Sequence, residues 1–192
     1  MAKYHYFSSM KWCAVCFVVM IFVLSSACSG KKAEYIAELE QLKRTSDSVA
    51  FDLKNINVYE LKALLTQSGE GLESMRQSIG NDDTLDLEFA RMLERYYLAY
   101  RDLEILKQEI DLCKAGNKIA DERIRLFKKD IEFDSGDRTD YEKNIRTETR
   151  ELTKIRNHSI ELKRRFEKAK SAIEQFQPEI ERYLQQNVPS SP

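Results

Sequence analysis

Apolar residues follow a seven-residue repeat through the middle of the chain. From Leu85 to Ile131 the repeat alternates steps of four and three, and 13 of its 14 positions are apolar. Random placement at 42% apolar residues would fill about six of them. This seam predicts one helix over about residues 84–133, about 75 Å long at 1.5 Å per residue. Its positions are Leu85, Phe89, Met92, Tyr96, Ala99, Leu103, Leu106, Ile110, Cys113, Asn117, Ala120, Ile124, Phe127 and Ile131.

A second seam begins at Tyr141 and predicts another long helix over about residues 141–184. Eleven of its 13 positions are apolar. Because only residues 134–140 separate the two predicted helices, we expect them to pack side by side and antiparallel. The sustained period of 3.5 predicts a left-handed supercoil. The fold class is therefore all-α, with an elongated antiparallel coiled-coil hairpin as its largest part.

Two layers of this hairpin contain polar or reactive side chains. Folding the chain about the connection places Asn117 near Ile155 and Cys113 near Ser159. A buried polar residue in a seam fixes register at a cost in stability. Cys113 is either a redox sensor or a small buried seam residue, and its seam position favours the second interpretation. Pro178, inside the second seam, predicts a kink or a restart of that helix.

The central helix carries a second apolar ridge on another face. We expect an N-terminal helical segment to cover this ridge and complete a three-helix bundle; a second copy or another protein is the alternative. A cluster of tyrosines adds to the apolar area at one end. The ridge consists of Leu98, Ile105, Leu112, Ile119, Leu126 and Phe133. The candidate interaction surface consists of Tyr96, Tyr97, Tyr100, Leu98, Ile105 and Leu112, although packing of the tyrosines against the N-terminal helix is favoured.

The N-terminal stretch over residues 32–80 has a weaker helical pattern. Its strongest predicted break is at residues 68–71, where two glycines flank a glutamate. A short helix and a turn at residues 80–83 are expected to follow. If this stretch packs antiparallel to the central helix, Cys28 lies near the connection at residues 134–140 and the C-terminus lies at the opposite end.

The first 28 residues have the features of an export signal. Lys3 and Lys11 precede or border an apolar run of 13 residues, Trp12–Leu24. A bilayer-spanning helix needs about 20 apolar residues, so this run is short. Small residues and Cys28 follow it. A positive start, a short apolar core and small residues before a cleavage site describe a secretory signal.

The sequence Leu24-Ser25-Ser26-Ala27-Cys28 resembles the lipobox of bacterial lipoproteins. It departs from the usual pattern because Ser25 stands where leucine is expected. The resemblance implies that residues 1–27 are removed, that Cys28 is lipidated with fatty acids such as palmitate, and that it becomes the N-terminus. It implies anchoring in the bacterial cell envelope, in the outer membrane more than the inner, with the body in the periplasm. An uncleaved membrane anchor and an ordinary cleaved signal are the alternatives.

Behind this signal we expect a helical domain over residues 28–186 and a disordered tail over residues 187–192. Removing residues 1–27 takes away two lysines and leaves 29 basic and 32 acidic residues. Such a balance argues against a nucleic-acid-binding protein, which shows a basic excess on one face. Membrane attachment is therefore expected through lipid at Cys28 and not through a polybasic surface.

The sequence offers little for catalysis. His158 is the only histidine after the signal, and catalytic sites need several convergent groups. Asp134, Asp137 and Asp140 do not have the spacing of a calcium-binding loop. We therefore expect no enzyme activity, no cofactor and no metal. The predicted function is a lipid-anchored coiled-coil scaffold, spacer or protein-interaction module with an unidentified protein partner. The alternative is a periplasmic chaperone or carrier that binds clients on the second ridge.

Overall fold

The fold is all-α, as the heptad pattern predicts. The computed structural model describes residues 6–79, 85–135 and 138–187, and the side chains of residues 31–79, 85–135 and 140–186. No strand is present in these ranges. The helices are α1 (Tyr6–Asn55), α2 (Val58–Ser78), α3 (Leu87–Glu132) and α4 (Arg138–Asn187).

The two long predicted helices correspond to α3 and α4, with bounds that agree within three residues. The N-terminal part of the chain forms α1 and α2. The predicted turn at residues 80–83 lies outside the described residues, and so does the predicted tail at 187–192 apart from Asn187, which ends α4.

The predicted break at residues 68–71 is wrong: α2 runs through them, and the N-terminal part breaks at Ile56 and Asn57 instead. Asn57 caps α2, because its side-chain oxygen accepts hydrogen bonds from the backbone N–H groups of Tyr59 and Glu60, at 3.1 and 3.2 Å. A capping asparagine satisfies N–H groups that the first turn of a helix leaves without partners.

The two glycines that suggested a break serve close packing. A Cβ atom on Gly71 would lie 3.1 Å from the hydroxyl oxygen of Tyr96, and one on Gly69 would lie 3.4 Å from the ring of Tyr100. The absence of side chains lets α2 approach α3 at these tyrosines. Both glycines therefore stay helical despite their low helix propensity.

Pro178 does not restart the last helix, because α4 is continuous through it. Proline lacks the N–H group that would donate to the preceding turn, so one intrahelical hydrogen bond is absent. Ile173 and Ile180, on either side of the proline, are completely buried. Packing on both sides of the proline holds the helix together across that missing bond.

The chain divides into two compact units. The first unit contains Met1–Arg44 and Asp121–Arg150, so it holds parts of α1, α3 and α4. The ring of Tyr141 on α4 lies edge-on to Tyr35 of α1 and Phe127 of α3, with centroid distances of 6.1 and 5.5 Å. Three helices thus meet around one aromatic side chain. The buried apolar residues of this unit are Leu39, Leu42, Ile124, Ile131, Tyr141 and Ile145.

The second unit contains Thr45–Ala120 and Glu151–Pro192. The end of α1 and all of α2 pack against α3 and α4, which matches the predicted three-helix arrangement. The largest buried side chains come from all of these helices and form one cluster. Its fully buried members include Val49, Leu53, Leu61, Met75, Tyr96, Leu103, Leu106, Ile110, Leu162, Ile173 and Ile180.

Gly116→Ala is expected to stabilise the protein by about 0.5–1 kcal/mol. Gly116 lies inside α3, where alanine is preferred over glycine by that amount. An added Cβ would meet only the Ile155 side chain, at 3.8 Å, which is an ordinary contact. Urea unfolding of the full chain, followed by circular dichroism, measures the change. A lower midpoint than that of the unmodified protein would contradict the prediction.

Candidate interaction surface

A row of exposed apolar side chains runs along α3 in the second unit. We call it the exposed stripe; its residues are Leu98, Ile105, Leu112 and Ile119. Their exposed fractions are 58%, 45%, 71% and 58%. The spacing of seven residues places all four on one line of the helix surface. Single exposed leucines are common on protein surfaces, but four exposed apolar residues repeated along one line of a helix make this row a candidate interaction site.

The prediction that the N-terminal helix covers this ridge is wrong. The reason is geometric: Leu98 follows the buried Tyr96 by two residues, about 200° around the helix axis. The N-terminal helices pack near the seam instead, as the contacts of Gly69 and Gly71 with Tyr100 and Tyr96 illustrate. In the first unit, Leu126 and Phe133 have the same spacing and are likewise exposed.

The tyrosine cluster is divided between the core and the surface. Tyr96 is completely buried, and its hydroxyl donates to the side-chain oxygen of Gln177 on α4. Burial, with a smaller effect of the Glu181 charge, raises the pKa of Tyr96 to about 12. Tyr96 is therefore a core residue, which corrects its assignment to the interaction surface.

Tyr100 and Tyr97 differ from Tyr96 in their exposure. Tyr100 is half-buried against Gly69 and donates a hydrogen bond of 2.9 Å to Glu104. Tyr97 is 47% exposed. The favoured prediction, packing against the N-terminal helix, is thus confirmed for Tyr96 and Tyr100 and wrong for Tyr97. Of the predicted interaction surface, Tyr97, Leu98, Ile105 and Leu112 are exposed.

One edge of the stripe borders an ion-pair network between α3 and α4. The guanidinium of Arg165 on α4 donates to Asp102, with an Nε–Oδ1 distance of 3.0 Å, and also to Glu109. The hydrogen bond to Asp102 raises the pKa of Arg165, against the opposing effect of burial. Ile105 lies between these two acids in sequence and one turn from each. The network places a charged border on the α4 side of the stripe.

A buried polar pair joins α1 to α3 within the second unit. Ser46 donates from its hydroxyl to Oδ1 of Asn117 at 3.2 Å, and Asn117 donates from Nδ2 to the Ser46 carbonyl at 3.0 Å. Both residues are at least 95% buried, with exposures of 1% and 5%. Buried polar groups cost stability unless they are hydrogen-bonded. Each residue supplies a hydrogen-bond partner for the other, and this pairing fixes the axial position of α1 on α3.

Cys113 is a buried residue of the seam. It is 6% exposed, and its thiol lies 3.8 Å from the carbonyl oxygen of Ile155. Burial raises the pKa of this thiol. Reactive cysteines have a lowered pKa and solvent access, because the thiolate is the nucleophile. Cys113 has neither property, which supports the packing interpretation over the redox-sensor interpretation.

Within the first unit, the chain just after Cys28 lies beside the connection between α3 and α4. Lys32 forms an ion pair of 3.0 Å with the carboxylate of Asp134 and donates to the Glu132 carbonyl at 2.9 Å. Cys28 precedes Lys32 by four residues, about 6 Å along a helix. This contact agrees with the predicted direction of the N-terminal helix.

The described residues offer little that resembles a catalytic centre. His158 is exposed on α4. No group of three or more histidine, cysteine or acidic side chains that would suit a metal ion occurs among the described side chains. No helix in the described part of the chain is both long enough and apolar enough to cross a membrane.

Two exposed aromatic residues were not predicted from sequence. Phe51 near the end of α1 is 65% exposed, and Tyr59 in the first turn of α2 is 85% exposed. Both fall outside the apolar positions of their helices, which include the buried Leu53 and Leu61. An aromatic residue that falls outside the apolar pattern of its helix is expected to be exposed, and this signal could have identified both residues from the sequence.

The chain matches no family model, no curated protein and no solved structure.

Proposed function

We propose that this protein is a lipid-anchored helical scaffold of the bacterial cell envelope that presents a protein-interaction surface. The observation that carries the interaction part is the exposed stripe on α3. The stripe has four exposed apolar residues at intervals of seven, on a helix whose opposite face is buried in the core. A helix that served only as a spacer would not need exposed apolar residues, because charged residues at those positions would keep it soluble.

The lipid anchor in this proposal rests on the lipobox-like sequence that ends at Cys28. The ion pair between Lys32 and Asp134 supports a tether next to the α3–α4 connection. Two or three acyl chains are enough for stable attachment to a membrane. The scaffold would then be held at the bilayer through Cys28, which becomes the first residue of α1 once residues 1–27 are removed.

The experiment on the anchor labels growing bacteria with a radioactive fatty acid. The full chain is compared with Cys28→Ser and, as a matched control, with Cys16→Ser, which changes a cysteine inside the signal. We expect the label in the unmodified chain and in Cys16→Ser, and complete loss of label in Cys28→Ser. The anchor proposal fails if Cys28→Ser keeps the label or if the unmodified chain never acquires it.

A carrier function is the second candidate, and the same uncovered stripe favours it. A carrier would hold short apolar segments of client proteins transiently, whereas a scaffold would hold one defined partner. Binding of unrelated unfolded proteins to the full chain and to Leu112→Asp separates the two, because Leu112 is 71% exposed on the stripe. Carriage predicts that several such clients bind and that Leu112→Asp weakens the binding of all of them; absence of binding to the unmodified chain would contradict it.

A further inference from the structure

The exposed stripe has the period of a coiled-coil seam. Four apolar residues seven positions apart span about 32 Å of α3 at 1.5 Å per residue. α3 already packs along its neighbouring helices with a seven-residue repeat, so a row with this period stays in line on its surface. A partner that contacts all four residues therefore lies nearly along α3, and an α-helix with a row of the same period fits it.

Charges beside the stripe indicate which helix this is. Asp111 immediately precedes Leu112, Lys118 immediately precedes Ile119, and both charged residues are exposed. Neither belongs to an ion pair among the described residues. They are seven residues apart, about 10 Å along the axis, so they do not pair with each other within one helix.

We infer that the exposed stripe is a self-association surface on which two copies of this chain pack antiparallel about a two-fold axis near Ala115. Such an axis brings Asp111 of each copy opposite Lys118 of the other, and symmetry forms this ion pair twice. The parallel arrangement places like charges together at both positions, which is unfavourable.

The side chains on the axis also suit this arrangement. Ala115 is exposed and has a small side chain, and it lies one helical turn from Leu112. In the antiparallel pair, Ala115 of one copy faces Ala115 of the other, because both lie at the axis. Small side chains at this point allow the two helices to approach closely. The Leu112 side chains of the two copies then pack on either side of it.

The size of the stripe predicts a weak association. A row about 32 Å long and about 10 Å wide covers about 300 Å² on each copy, below the 1,200–2,000 Å² total of stable interfaces. Two copies held in one membrane have a much higher effective concentration than in solution. This last step rests on the proposed lipid anchor, so pairing is expected on membranes and at high protein concentration.

The test uses the full chain reconstituted into phosphatidylethanolamine–phosphatidylglycerol vesicles at a fixed protein-to-lipid ratio. Ala115→Cys reports pairing as a disulfide-linked dimer after mild oxidation. Lys107→Cys, on an exposed position of α3 away from the stripe, is the matched control. We expect dimer from Ala115→Cys well above the Lys107→Cys level. Equal yields from the two variants would overturn the inference.

Charge reversal then tests the two-fold arrangement. In the Ala115→Cys background, Asp111→Lys or Lys118→Asp places like charges opposite each other twice, and each is expected to lower the dimer yield about fivefold. The double variant Asp111→Lys/Lys118→Asp restores opposite charges and is expected to restore the yield. Failure of either single reversal to lower the yield, or of the double reversal to restore it, overturns the antiparallel pairing.

Two measurements keep this result separate from other causes. Circular dichroism of each variant should match the unmodified chain, because the substituted positions are exposed. Vesicle flotation reports the anchor independently. Protein that floats with the vesicles but forms no dimer overturns self-association and leaves the proposed anchor standing. Protein that fails to float but pairs at high concentration in detergent overturns the anchor and supports the interface.

Discussion

Leu103→Ala is expected to lower the free energy of unfolding by about 2–5 kcal/mol. Leu103 has no exposed surface and lies in the cluster that joins all the helices of the second unit. Removing three carbon atoms from such a site costs their transfer free energy and leaves a cavity that the surrounding helices fill only partly. Urea unfolding of the full chain in mild detergent, at a protein concentration too low for self-association, measures the change.

Leu112→Ala is the matched control for that substitution. It makes the same chemical change on the same helix, but Leu112 is 71% exposed. Substitutions at such surface positions usually change stability by less than about 0.5 kcal/mol. A loss as large as that of Leu103→Ala would mean that the stripe is buried within the chain. Equal, small effects of both changes would contradict the packed core of the second unit.

The heptad pattern predicts the long helices well because their burial is periodic. Thirteen apolar positions in one seam leave no comparable alternative to a long amphipathic helix, and α3 and α4 follow the predicted bounds closely. The one polar position of the α3 seam, Asn117, is hydrogen-bonded to Ser46 of α1. A pattern read along one helix contains no information about which polar residue on another helix satisfies it.

The glycines of α2 show a different limit of sequence reasoning. Gly69 and Gly71 are typical of a helix break, yet the break occurs at the capping residue Asn57. Glycine removes a side chain as well as relaxing the backbone, and only the position of neighbouring helices decides which property matters. Here the neighbours are Tyr96 and Tyr100 of α3, which need the space.

The sequence predicts that the residues of the exposed stripe form an apolar ridge, but it does not predict whether another helix covers them. An apolar row predicts that something covers it, without identifying what does. In the second unit, the N-terminal helices bury the same seam that α3 and α4 share, so the described residues leave the opposite side of α3 uncovered there. The charged residues that suggest a second copy, Asp111 and Lys118, have no special pattern until the stripe beside them is known to be exposed.

Gly71→Leu is expected to destabilise the protein by about 2–3 kcal/mol. A Cβ atom at Gly71 would already lie 3.1 Å from Tyr96 and 3.6 Å from Ile180, on two different helices. A leucine side chain therefore has to displace α3 or α4, and overpacking of this kind costs about 1–3 kcal/mol. Gln67→Leu, one turn earlier on an exposed position of α2, is the control and should change stability little.

A second comparison locates the clash at one atom. The nearest neighbour of a Cβ at Gly71 is the hydroxyl oxygen of Tyr96, which Tyr96→Phe removes. We therefore expect Gly71→Ala to be better tolerated in the Tyr96→Phe background than in the unmodified chain, with a coupling free energy of about 0.5–1 kcal/mol in a double-mutant cycle. Additive effects of the two changes, or equal unfolding midpoints for Gly71→Leu and Gln67→Leu, would mean that α2 does not approach α3 at this glycine.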